Sequence, residues 1–174
     1  MGVLVEIIPL PPDRWREYRS IRLEALRKDP QAFGSSYEKT LELPDKEWET
    51  RLLSTRVRML FASDSGEIVG LMGIVLDVAE GKSSIVAAYV RESHRRRGIG
   101  KRLLEALFEI ALNETEIPSI DLSVNGEEAP AVELYRAVGF VESRCGREML
   151  GDGRPHQVIT MRKELNRGGG PSRP

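Results

Sequence analysis

The stretch AAYVRESHRRRGIGKRLLEALFEIA, residues 87–111, changes its period part-way along. Its first residues close an apolar run that starts at Ser84 and reads as a strand ending at Val90. Beyond the turn, Leu103, Leu104, Leu107, Phe108 and Ala111 fall on one face of a helix that begins near Gly98. Between the two lie Arg95, Arg96, Arg97, Gly98, Ile99, Gly100 and Lys101. The first turn of a helix leaves backbone N–H groups without partners and carries partial positive charge. Glycines there remove side-chain bulk, so a phosphate can approach the backbone. The segment therefore reads as an anion site with full positive charge beside it. The glycine patterns of dinucleotide folds and of mononucleotide P-loops are absent. On its residues alone, the weaker alternative is an exposed basic loop with helix-capping glycines.

Working outward from this turn gives a mixed order of elements. Upstream, Val57–Ala62, Glu67–Val78 and Ser84–Val90 are strand-like runs joined by turns at 63–66 and 81–82, which predicts an antiparallel meander. Val3–Ile8 reads as a first strand, stopped by Pro9, Pro11 and Pro12. Asp13 reads as the N-cap of a helix whose buried face carries Trp15, Tyr18, Ile21 and Ala25 and which ends at Lys28-Asp29-Pro30. Residues 31–44 read as loop, and Asp45–Leu53 as a short helix. Downstream come a strand over Ser119–Val124, a helix opened by Pro130 and stopped by Gly139, and strands over Phe140–Leu150 and Val158–Leu165 around the turn Gly151-Asp152-Gly153. Residues 1–165 are expected to form one α/β (α+β) domain. The Gly-, Pro- and Arg-rich residues 166–174 are expected to be a disordered tail.

The totals restrict the function. With 174 residues, 40% of them hydrophobic, the chain can bury an ordinary core. Its net charge of -1 gives no global field for nucleic acid or an anionic membrane. A single cysteine, Cys145, allows neither an intrachain disulfide nor a cysteine metal cluster, and two histidines far apart in sequence argue against zinc. No metal is expected. Cys145 itself reads as a small, at least half-buried residue. No apolar run approaches the roughly 20 residues needed to span a bilayer, and the N-terminus is too short and acidic for a signal peptide. A cytoplasmic enzyme or binding module is the expectation.

Val90 to Gly100 resembles the acetyl-CoA-binding motif of the GNAT superfamily of N-acetyltransferases: a valine-ending strand, a short spacer, then Arg-x-x-Gly-x-Gly at Arg95, Gly98 and Gly100. A second block, Ala131 to Phe140, resembles the A-x-x-L-Y-x-x-x-G-F of the same family. The two motifs stand in the family's order, and the elements agree over residues 57–165. The resemblance implies a central mixed sheet of about seven strands, with an antiparallel front half, about four helices and a splayed parallel pair holding coenzyme A. It implies that the pantetheine arm pairs with backbone near Ala88, Tyr89 and Val90. The pyrophosphate would rest on N–H groups from Arg95 through Arg96, Arg97, Gly98, Ile99 and Gly100 to Lys101. Tyr135 matches the family tyrosine that protonates the departing thiolate.

The chain departs from the family at two positions. Glu128 stands where many members have an asparagine that contacts the cofactor, and Ser123 where some have a glutamate base. The base therefore stays open among Glu38, Asp77, Asp121 and a water chain. A lysine-like amine is neutral in only about one molecule in a thousand at pH 7, whereas an α-amine needs far less help. Phe33, Tyr37 and Glu38, with Trp48, would border the acceptor; the aromatics read equally as filling beneath a long loop. The expected reaction is direct attack of a primary amine, from a small molecule or a peptide N-terminus, on acetyl-CoA. A regulatory acetyl-CoA-binding module without turnover is the alternative. No nucleic-acid or membrane partner is expected, and a homodimer is compatible with the sequence.

Overall fold

The computed structural model describes residues 4–166, so the expected tail lies outside the described residues from 167 onward. The chain runs through β1 (Glu6–Ile8), α1 (Trp15–Lys28), α2 (Tyr37–Leu41), α3 (Asp45–Leu53), β2 (Val57–Asp64), β3 (Glu67–Asp77) and β4 (Lys82–Val90). It continues through α4 (Ile99–Glu114), β5 (Ser119–Asn125), α5 (Ala129–Ala137), β6 (Val141–Met149) and β7 (Pro155–Glu164). The strands form one mixed sheet in the order β1-β2-β3-β4-β5-β7-β6. β1 to β4 are an antiparallel meander, and β5, β7 and β6 are mutually antiparallel. Between these blocks β4 and β5 run parallel and share one register pair, Ser84 with Asp121.

Helices cover both faces. α4 and α5 lay Ile99, Leu103, Leu104, Leu107, Val132 and Tyr135 on one face, against Met72, Ile74, Ile85, Ile120 and Leu122. On the other face α1 and α3 bring Trp15, Tyr18, Ile21, Leu26 and Trp48 onto Phe61, Leu71 and Tyr89. Because β2 and β3 lie under both layers, their sequences are apolar nearly throughout rather than alternating. β6 is the reverse case: an outer strand exposed along its whole length, which is why VESRCGREM is mostly polar.

Several expectations need correction. The described residues form five α-helices where about four were expected, because residues 37–41 are a helix in a stretch that reads as loop. Five residues are too few to show an apolar period; the Ser36 hydroxyl caps them by accepting from the Lys39 N–H at 3.3 Å. Asp13 is not the cap of α1: it sits in a 3-10 turn over Pro12–Arg14, and Arg14 takes the cap position while pairing with Glu17. β7 begins at Pro155, three residues earlier than the apolar pattern suggested. Cys145 is exposed on β6 rather than half-buried. Trp48 is fully buried, edge-on to Tyr18 at 5.1 Å, and so belongs to the core.

Candidate functional site

The parallel pair opens as it runs forward from Ser84 and Asp121. The opening is widened by a bulge in β4: Leu71 faces Tyr89 and Gly73 faces Val86, so Ala87 and Ala88 together oppose Met72. Ala87 takes up the extra residue with φ +56°, a left-handed conformation that costs a non-glycine residue energy. Strain of this kind is kept only where the surroundings enforce it. The result is a cleft of about 910 Å³ between the forward halves of β4 and β5. Its walls continue into the segment after α1, the turn before α4, and α5.

Most of the residues that the sequence nominates meet here. Ala88, Tyr89, Val90, Arg95, Arg96, Gly98, Ile99, Gly100, Lys101, Tyr135 and Phe33 all line the cleft. Arg97 does not. Tyr37 lines a separate groove of about 570 Å³ along α1, and Glu38 is exposed on α2 and borders neither space. Of the candidate bases, Asp121 reaches the cleft but is held in a two-point ion pair with Arg162 at 2.7 and 2.9 Å. Asp77 pairs with Arg56, and Ser123 is a cleft residue without a titratable side chain near neutrality.

The turn before α4 is built for backbone donation. Gly98 is the N-cap with φ +74° and offers no side chain to the N–H groups beyond it. The first intrahelical bond is made by Arg102 N to Gly98 O at 3.0 Å, leaving the N–H groups of Ile99, Gly100 and Lys101 free of helix acceptors. Gly100 is small for a different reason: a Cβ there would lie 3.0 Å from Leu134 Cδ2 of α5. The arginines divide their work. Arg95 donates from Nε to Val90 O at 2.8 Å and from Nη2 to Asp29 at 2.6 Å, tying the end of β4 to the end of α1. Arg96, at φ +61°, is exposed and has no ion pair among the described residues.

Tyr135 sits on the buried face of α5, 7% exposed, edge-on to Phe140 at 5.9 Å. No hydrogen bond engages its hydroxyl among the described residues. Burial alone pushes its pKa up to about 12. Tyr89, across the cleft, is different: its hydroxyl donates to Glu24 at 3.0 Å, and burial and that carboxylate both raise its pKa. Glu24 in turn receives both arms of Arg91 at 2.9 Å.

Sequence reasoning missed the polar cluster at the end of β5. Asn125, 2% exposed, lines the cleft and donates to Gln31 O at 3.1 Å, while its own oxygen accepts from the Glu127 N–H. His156 approaches Asn125 at 3.3 Å and pairs with Asp152 at 2.8 Å and Glu127 at 3.2 Å. Glu128, the departure from the family pattern, accepts from Gln31 Nε2 at 2.9 Å. Residues so far apart in sequence gave no local signal; the Asn-Gly at 125–126, which ends a strand, was the one available hint. Among the described residues no group of three or more His, Cys, Asp or Glu side chains is arranged to hold a metal ion. No described helix is long and apolar enough to cross a membrane.

Known proteins share this arrangement. The model of the acetyltransferase (GNAT) family matches residues 15–140. The chain belongs to the GNAT acetyltransferase family. Among curated family relatives, the L-amino acid N-acetyltransferase AaaT of Escherichia coli strain K12 is 26% identical over 139 residues, 76% of this chain and 82% of that protein. Among solved structures, a GNAT-family acetyltransferase from Streptococcus pneumoniae superposes with a TM-score of 0.81 at 22% identity, covering 94% of this chain and all of that one. The yncA protein of Salmonella typhimurium, solved with acetyl-CoA, gives 0.75 at 16% identity, covering 97% and 98%. At such identities the solved structures establish the family fold and nothing finer.

Proposed function

We propose that this chain binds acetyl-CoA in the β4–β5 cleft and transfers the acetyl group to a primary amine. The observation that carries this reading is the convergence of two unfilled donor sets on one cleft. One is the bulged, unpaired forward edge of β4 at Ala88 to Val90; the other is the uncapped helix start from Gly98 to Lys101. An unpaired strand edge suits the amide groups of a pantetheine arm. A glycine-opened helix start suits a pyrophosphate, and Arg96 and Lys101 add charge beside it. Arg95 acts on this reading by holding the end of β4, since its guanidinium is already committed to Asp29 and Val90. Arg97 contributes only long-range charge.

The acceptor enters from the α1 face, bordered by Phe33. Its neutral nitrogen attacks the thioester carbonyl, the C–S bond breaks, and the amine proton leaves to water. Tyr135 donates its proton to the departing sulfur and regains one from solvent, which has taken the amine proton, so the cycle closes on free thiol and amide. A phenol with its pKa pushed up to about 12 stays protonated throughout the neutral range, so it serves as a donor and not as a base. With Asp121 neutralised by Arg162, no unpaired side chain among the three nominated acids takes the amine proton directly. The relative AaaT is named for amino-acid acceptors, and the chemistry proposed here is compatible with a small-molecule or a peptide amine.

The test is calorimetric titration of acetyl-CoA into the wild type and Gly100→Glu, together with amine-dependent release of free thiol over an amine panel. The introduced glutamate side chain would place bulk against Leu134 and negative charge against the phosphates. Loss of binding in the variant, with turnover in the wild type, supports the reading. Unchanged affinity removes the site, and tight binding without turnover for any amine indicates the non-catalytic module.

A further inference from the structure

Three arginines in or near the cleft have acids, although two of them, Arg95 and Arg162, are themselves largely exposed. Arg91 pairs with Glu24, Arg95 with Asp29, and Arg162 with Asp121. Arg22 is the exception. It lies on α1, 9% exposed, and lines the cleft beside Phe33, Gly34 and Ser35. Its Nη1 is buried without a hydrogen-bond partner, and no ion pair engages its guanidinium among the described residues. The Phe33 ring lies 4.7 Å from its Cζ and holds the group by a cation–π contact. Burial lowers its pKa, with Tyr18 opposing the shift and Arg51 nearby adding repulsion.

A desolvated cation without a counter-charge is costly to keep. Hydrophobic packing would favour a methionine or leucine at this place on α1, beside Tyr18 and Phe33. An arginine that stands there, opens into the cleft and finds no acid in the protein is complementary to an anion brought by the ligand. The guanidinium presents parallel N–H groups that match a carboxylate at two points. Coenzyme A phosphates are not that anion on the present reading, because they belong to the helix start of α4, and α4 and α1 cover opposite faces of the sheet.

We infer that Arg22 is a specificity residue that binds the carboxylate of the acceptor, and that the acceptor is a free α-amino acid rather than a peptide amine. The inference rests on the proposed acetyl transfer in the same cleft. The amino group would then point from Arg22 toward the forward ends of β4 and β5, where the thioester lies. A peptide N-terminus carries an amide where the carboxylate is needed, and would leave Arg22 buried and unpaired.

The experiment compares the common L-amino acids with their C-terminal amides as acceptors, in wild type, Arg22→Gln and Arg22→Lys. Acetyl-CoA affinity is measured in each by calorimetry. In the wild type, the best amino acid should exceed its own amide in kcat/KM by about a hundredfold, the scale of a charge-assisted pair. Arg22→Gln should raise the amino-acid KM about a hundredfold, leave acetyl-CoA affinity unchanged and erase the acid-over-amide preference. Arg22→Lys should restore part of it. Amides acetylated as well as acids by the wild type would overturn the inference. So would an equal loss for both classes in Arg22→Gln, which is what a purely structural arginine would give. If no amine is acetylated, the transfer reading fails by itself. The carboxylate site is then read by calorimetry of the amino acids against the acetyl-CoA complex, where binding by wild type and not by Arg22→Gln supports it and equal binding overturns it.

Discussion

Replacing Tyr135 with phenylalanine separates packing from chemistry with little ambiguity. The ring stays edge-on to Phe140, so the apolar contacts of α5 survive. The hydroxyl has no hydrogen-bond partner among the described residues, so its removal breaks no bond. The oxygen opens on the cleft rather than being sealed in the core, so removing it relieves no large desolvation cost and the melting temperature should hold to within roughly 2–4 °C, the equivalent of about 1 kcal/mol. Catalysis should fall. The phenol, at about 12, lies above the ordinary thiol value near 8.5 by about 3.5 units, or roughly 5 kcal/mol. Complete transfer from tyrosine to a free, solvated thiolate is therefore uphill, and the donor must act while the C–S bond breaks, beside a sulfur that is itself desolvated. Losing such a donor costs about a hundredfold in kcat, or about 2.7 kcal/mol. The assay is thiol release at saturating acetyl-CoA and acceptor, beside a thermal melt. A variant that keeps wild-type kcat would show that Tyr135 is core and that solvent protonates the thiolate. A variant that melts well below the wild type would show that the hydroxyl is bonded after all.

Gly151→Ala should lower the melting temperature by roughly 3–10 °C, because its Cβ would meet Ser35 O at 2.4 Å, Pro30 O at 2.9 Å and Phe33 O at 3.1 Å, all of them backbone; an unchanged melt would mean that the β6–β7 turn floats free of the segment after α1. His156 predicts a pH dependence. The hydrogen bond to Asp152 raises its pKa against partial burial, with Glu127 assisting, so its stabilisation is complete below about 6.5 and fades as pH rises through the folded value. Burial works to raise Asp152, but the bonds from His156 and the Arg154 N–H outweigh it, so that contribution is lost only in acid below about 4. The melting difference between wild type and His156→Gln should thus be largest between roughly pH 4 and 6.5 and shrink above it; a difference flat from about pH 5 to 9 would exclude the ion pair.

The sequence made the sheet and the cleft legible because their signals are local. The glycines at 98 and 100 beside a basic run, and the three- and four-residue spacing from Leu103 to Ala111, each describe a neighbourhood of a few residues. The helix over Tyr37–Leu41 was not legible, since one turn cannot display a period. Nor was the bulge at Ala87, because alanine carries no mark of a left-handed backbone. The acceptor side was least legible. Tyr37 and Glu38 looked apt by type and nearness in sequence, yet α2 turns them away from the cleft, while nothing in the sequence marks Arg22 out from the other charged residues of α1. Its significance lies in what is missing around it, and a missing partner is a property of three dimensions.

The lone register pair between β4 and β5 has a mechanical consequence. Neighbouring strands in a ladder are held about 4.8 Å apart by their hydrogen bonds. Beyond Ser84 and Asp121 that clamp is gone. The width of the gap is set instead by side chains packed against the two blocks, such as Leu134 of α5 against Gly100 of α4. Gap width is therefore a soft coordinate, adjustable in small steps by helix packing that touches neither donor nor acceptor. A lineage can drift toward bulkier acyl chains, or tighten around acetyl, by exchanging methyl groups in the α4–α5 layer while every residue at the reacting centre stays the same.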